Sequence, residues 1–108
     1  MENEADLRIV NNESGSRYEA FVDGRPAAFV TYEAEPGRVV VTHTIVRPAH
    51  EGRGLGSRLV RHVVDDILGR GLRIVPVCEF TRAYLRRHPE FSASVDYPPE
   101  EGDNEEAG

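Results

Sequence analysis

The chain has 108 residues, 39% of them apolar and 30% charged, with a formal net charge of −6. That length holds one core and no second; no apolar run approaches the ~20 residues that span a bilayer; and the single cysteine, Cys78, excludes an internal disulfide and any multi-cysteine metal site. The acid is concentrated at the C-terminal end, where residues 98–108 carry Glu100, Glu101, Asp103, Glu105 and Glu106 and no cation, so the remainder is close to neutral, which argues against nucleic-acid binding.

The opening Met1-Glu2-Asn3-Glu4-Ala5-Asp6 is acidic and lacks the layout of a signal peptide, so a cytoplasmic location is expected. Residues 7–10 read as a first strand. A turn through Asn11-Asn12-Glu13-Ser14-Gly15 leads to a second strand at 16–22. Asp23-Gly24-Arg25 is a tight hairpin turn, because Asp-Gly tolerates positive φ. A third strand is predicted over 27–34, and Glu35-Pro36-Gly37 turns into a fourth at 38–46. That fourth run is almost wholly β-branched: Val39, Val40, Val41, Thr42, Thr44, Ile45 and Val46. Period-two alternation within it puts His43 on the face of Val39, Val41 and Ile45.

A glycine-rich turn follows, Pro48-Ala49-His50-Glu51-Gly52-Arg53-Gly54-Leu55-Gly56. It opens a helix at 54–68, whose Leu55, Leu59, Val60, Val63, Val64, Ile67 and Leu68 share one face. Gly69-Arg70-Gly71 ends that helix. A fifth strand at 72–77 is predicted parallel to the fourth, since a strand–helix–strand crossover runs that way. A short helix at 80–87 stops at His88-Pro89, and 91–95 is expected as a last edge strand. The order predicts an α+β fold: a mostly antiparallel sheet with a βαβ unit at its centre and two helices. Residues 1–97 form the domain, and 98–108 is expected to be a disordered, solubilising tail.

Strand, glycine turn and helix together present an anion site. The first helical turn has unpaired N–H donors at the positive end of the helix dipole. Glycines let a phosphate approach the backbone closely. Ligands in open sheets settle at the carboxyl ends of parallel strands, which brings His43 to Val46, the glycine turn and Cys78 to one crevice.

At this point the residues resemble a family. Glu51-Gly52-Arg53-Gly54-Leu55-Gly56 is similar to the coenzyme loop of the GNAT N-acetyltransferase superfamily. With His43-Thr44-x-Val46, Pro76-Val77-Cys78 and Tyr84-Leu85-Arg86-Arg87-His88-Pro89, the chain resembles a minimal GNAT-like group over roughly residues 5 to 96. The resemblance implies a GNAT-like fold and an acetyl-CoA-dependent N-acetyltransferase acting on an amine whose identity the sequence does not name. It implies acetyl-CoA as cosubstrate, with Arg53, Gly54, Leu55, Gly56 and Ser57 holding the pyrophosphate. The backbone near Ile45 and Val46 would polarise the thioester. Glu51 stands where the wider superfamily has Gln or Arg. It is expected to turn away from the phosphates, with Arg53 and Arg58 supplying positive charge.

Three side chains are candidates for chemistry. Cys78 is either a small buried hydrophobe or an acyl acceptor at the crevice. His43 is either a core histidine or a base for the amine or for Cys78. Tyr84 is either helix packing or, as the resemblance implies, the acid that protonates the departing thiolate. The expectations include no metal, no membrane, no nucleic acid and a monomer. The rival readings are a coenzyme A-binding module without turnover and a small interaction protein that uses its acidic tail.

Overall fold

The computed structural model describes residues 6–99. The sequence reading of a disordered tail at 98–108 lies almost entirely outside them. Five strands form one sheet in chain order: β1 (Leu7–Asn12), β2 (Arg17–Val22), β3 (Arg25–Glu35), β4 (Arg38–Val46) and β5 (Arg73–Pro76). The first four pair antiparallel, and β5 runs parallel to β4. Helix α1 (Leu55–Gly69) makes the crossover between β4 and β5, and α2 (Glu79–Arg86) follows β5. This is the expected α+β architecture.

Local chemistry explains the joints. Asp23 and Gly24 both adopt positive φ, +52° and +83°, the conformation that joins two twisted strands in a two-residue turn. Helix α1 ends in paired reverse bonds, Gly71 N–H to Leu68 O and Leu72 N–H to Ile67 O, with Gly71 at φ +79°. Both orphan carbonyls are thereby satisfied. α1 buries Leu55, Gly56, Leu59, Val60, Val63, Val64 and Ile67, the face read from its periodicity, with Leu68 partly buried at its edge. Against it stand Tyr18, Ala20, Ala28, Val30, Tyr32, Val39, Val41 and Ile74. Each large apolar side chain buried there contributes about 1.5–3 kcal/mol. Tyr18 also ties the layers together, its hydroxyl donating to Asp66 of α1 at 2.6 Å.

Two expectations are corrected. The last segment is not a strand from 91: Pro89–Ser94 forms a 3₁₀ turn, and Val95 alone bridges Ile74 of β5. Arg73 secures it, gripping Asp96 with two bonds of 2.6 and 2.8 Å and donating to Ala93 O. The second correction concerns β4. Tyr32 pairs with Val41, but Thr31 pairs with His43, so Thr42 is an extra residue. A bulge of this kind inverts the side-chain alternation. Val39 and Val41 are buried, whereas His43 and Ile45 are exposed, and Thr44 and Val46 now share the core-facing side. His43 therefore does not share the face of Val39 and Val41. Among the described residues, no helix is long and apolar enough to cross a membrane.

Candidate active site

The bulge also opens the sheet. The β4–β5 ladder ends at Val41 and Pro76. There the Val41 carbonyl accepts from both Val77 N–H and Cys78 N–H, at 2.9 and 3.1 Å. Beyond this point β4 continues to Val46 with no strand on its β5 side among the described residues. Arg47 N–H bonds to Ala27 O of β3, so strand alternation turns the backbone of Val46 and Thr44 toward the gap.

Next comes the glycine turn. Gly52 and Gly54 take φ +80° and +76°, left-handed conformations that favour glycine. Gly54 is the N-cap of α1 and makes no side-chain capping bond. The first intrahelical bond is Arg58 N–H to Gly54 O at 3.1 Å. The amides of Leu55, Gly56 and Ser57 are therefore the orphan donors of this helix. A cavity of about 400 Å³ opens onto them, lined by Thr44, Val46, His50, Glu51, Gly52, Gly54, Leu55, Gly56, Ser57 and Phe80. Five of the seven predicted coenzyme residues lie in its wall: Val46, Gly54, Leu55, Gly56 and Ser57. Arg53 is exposed nearby, and Ile45, 44% exposed, faces the other side of β4. Glu51 is exposed and also lines the cavity.

Cys78 lies at the inner end. It is the N-cap of α2, half-buried, with Sγ 3.3 Å from Thr44 Oγ1. Burial alone pushes its thiol up. The Thr44 hydroxyl, the Thr81 amide and hydroxyl and the Phe80 amide outweigh that, so the thiol titrates below its ordinary value. The sulfur makes no full capping hydrogen bond, yet those first-turn amides are close enough to favour its anion.

The other two candidates stand apart from Cys78. His43 is exposed on the opposite face, with Nδ1 3.3 Å from Thr31 Oγ1. Tyr84 is 4% exposed, belongs to the core, stacks on His88 with ring centres 4.2 Å apart and touches Arg61 of α1. Helical spacing explains this: Cys78, Thr81 and Leu85 fall at i, i+3 and i+7, while Tyr84 is turned about 100° from Leu85. Thr44, Thr81 and Phe80 had not been singled out from sequence. Thr44 was in view within His43-Thr44-x-Val46, but alternation without the bulge pointed it away. Among the described residues, no group of three or more His, Cys, Asp or Glu is placed to hold a metal ion.

Comparison with known proteins agrees with this fold. A family model described as GCN5-related N-acetyl-transferase matches residues 17–95. A GCN5-like protein from Staphylococcus aureus has a similar structure, with a TM-score of 0.66, 22% identity, and 94% of this chain and 96% of that one covered. A GNAT family acetyltransferase from Brucella melitensis, solved with acetyl-CoA, gives 0.55 at 26% identity over 67% of this chain and 50% of its own. The ribosomal-protein-S18-alanine N-acetyltransferase from Escherichia coli gives 0.52 at 22% identity over 62% of this chain. This chain spans 40% of the Escherichia coli enzyme and half of the Brucella one. No curated protein matches significantly. With the family model covering well over half of its length, the chain belongs to the GCN5-related N-acetyltransferase family.

Proposed function

We propose that this protein is an acetyl-CoA-dependent N-acetyltransferase that moves an acetyl group to an amine. One observation carries the reading: the uncapped start of α1 and the freed edge of β4 open onto one cavity beside the Cys78 thiol. The amides of Leu55, Gly56 and Ser57 and the positive end of the helix dipole hold the pyrophosphate. Arg53 and Arg58, exposed on either side, add charge that offsets Glu51. The pantetheine arm lies along β4, where amides facing the gap at Thr44 and Val46 bond it and polarise the thioester carbonyl. Ile45 contributes only through its place in that strand.

Two routes complete the transfer. In the direct route the amine nitrogen bonds to the thioester carbon, the C–S bond breaks and coenzyme A leaves as thiolate. The amine's proton passes to water or to His43 at the open face. In the covalent route the Cys78 thiolate attacks first, coenzyme A leaves, and the amine then takes the acetyl group from Cys78. The lowered Cys78 titration and its place beside Thr44 favour the covalent route. Tyr84, held in the core, serves this reading as the packing between α2 and α1 rather than as the acid.

The test is intact-mass measurement after incubation with acetyl-CoA. The expected result is one added acetyl group, absent in Cys78→Ala and discharged by an amine. An unmodified Cys78 with amine acetylation intact selects the direct route. Coenzyme A binding without transfer to any of a broad amine panel selects a binding module.

A further inference from the structure

Thr81 is the buried polar side chain among the described residues of the core, 1% exposed. It stands at the third position of α2, one turn above Cys78. Its Oγ1 is 3.5 Å from Thr44 Oγ1, and Thr44 Oγ1 is 3.3 Å from Cys78 Sγ. The three atoms form a chain from the cavity wall into the core. The bulge at Thr42 builds it: without the extra residue, Thr44 would face the other side of the sheet and the chain would be cut.

We infer that Thr44 and Thr81 are positioning residues that hold and activate Cys78 as a switchable hydroxyl pair. A threonine hydroxyl both donates and accepts, and its proton rotates freely. With Cys78 as thiol, its S–H donates to Thr44 and Thr44 donates to Thr81. With Cys78 as thiolate, both hydroxyls reverse: Thr81 donates to Thr44, and Thr44 donates to the sulfur. The reversal keeps both contacts in each form of the cysteine and moves no heavy atom. A hydrogen bond to an ionised acceptor is roughly twice as strong as a neutral one, so the pair favours the thiolate. This deepens the proposed function at the same site and rests on Cys78 being its nucleophile.

The donors beside Cys78 are the two hydroxyls and the amides of Phe80 and Thr81. On α2, Glu79 is paired with Arg82 at 3.5 Å and with Arg86 at 4.0 Å. Arg82 also donates to Pro76 O. On β4, His43 lies on the opposite face. At the cavity rim stand His50 and Glu51, with Arg53 and Arg58 exposed at the start of α1.

The pH profile of iodoacetamide alkylation of Cys78 tests this without any coenzyme, so its outcome is separate from that of acetyl transfer. Thr44→Val keeps the β-branched shape and removes the hydroxyl. The expected result is a midpoint raised by about one pH unit and alkylation at pH 7 slowed roughly tenfold. Thr44→Ser restores both. Thr81→Val removes the weaker of the two hydroxyl contacts to Cys78, raises the midpoint by a smaller step and keeps the test open if Thr44→Val does not fold. The shift should persist in a His50→Gln background. Midpoints equal to that of the parent in Thr44→Val and Thr81→Val overturn the inference, as does a serine variant no better than valine or a shift abolished by His50→Gln.

Discussion

At Gly54 the backbone sits at φ +76°, where an L-residue loses roughly 1–2 kcal/mol. At Gly56 the constraint is contact instead: an added Cβ would lie 2.8 Å from Phe80 Cζ. The two positions should therefore fail differently. Gly54→Ala lowers the melting temperature and weakens coenzyme A binding together. Gly56→Ala mainly displaces the half-exposed Phe80 ring, which lines the same cavity. It should cost several-fold in coenzyme A affinity with a smaller change in Tm, as calorimetry and thermal melts would show. Equal effects in the two variants would remove the distinction. Asp96 gives a prediction in pH. Its bond to Arg73 holds its carboxyl below the usual value. The pair thus stabilises the fold above the unfolded carboxylate range and loses that effect as pH falls through the lowered value. Asp96→Asn should lower Tm at pH 7, and the gap to the parent should close below about pH 4. A gap that widens in acid contradicts the pairing. The residue scale is also where sequence reading was weakest. Cys78, Gly54 and Gly56 were legible because spacing and turn chemistry mark them. Thr44 was not, because one unpaired residue, Thr42, exchanges the faces of everything after it and leaves no trace in a β-branched run.

Among the elements, α1 and β4 carry the site and were the plainest in sequence. α1 shows an unbroken apolar face, and its ends are marked by Gly54 and Gly71. Such a helix depends on its packing more than on propensity. Leu59, fully buried at its centre, is the sensitive point. Leu59→Ala should cost about 2–5 kcal/mol in denaturant unfolding. A loss under 1 kcal/mol would mean that α1 is not seated as described. The bulge in β4 is held by Thr42 Oγ1, which is 2.5 Å from Thr31 Oγ1 and 3.1 Å from Thr31 O. The segment after α2 was misread because Phe91, Ser92, Ala93 and Ser94 carry no periodicity that separates a short strand from a 3₁₀ turn. Tertiary contacts decide it: the Arg73 grip on Asp96 and the Val95 bridge.

Across the whole molecule, the sheet, α1 and α2 close one core and leave one end of the β4–β5 seam open. That seam is where the anion seat, the freed backbone of β4 and the Cys78 thiol converge. The same topology leaves His43 and Ile45 on an exposed face. In the proposed function the start of α1 seats the coenzyme's pyrophosphate, and amide NMR titration with coenzyme A reads that contact residue by residue. Saturable one-to-one binding is expected, with the largest shifts at Gly52, Gly54, Leu55, Gly56 and Ser57, then at Thr44 and Val46. Absence of binding at millimolar coenzyme A, or shifts centred away from that turn, would contradict it.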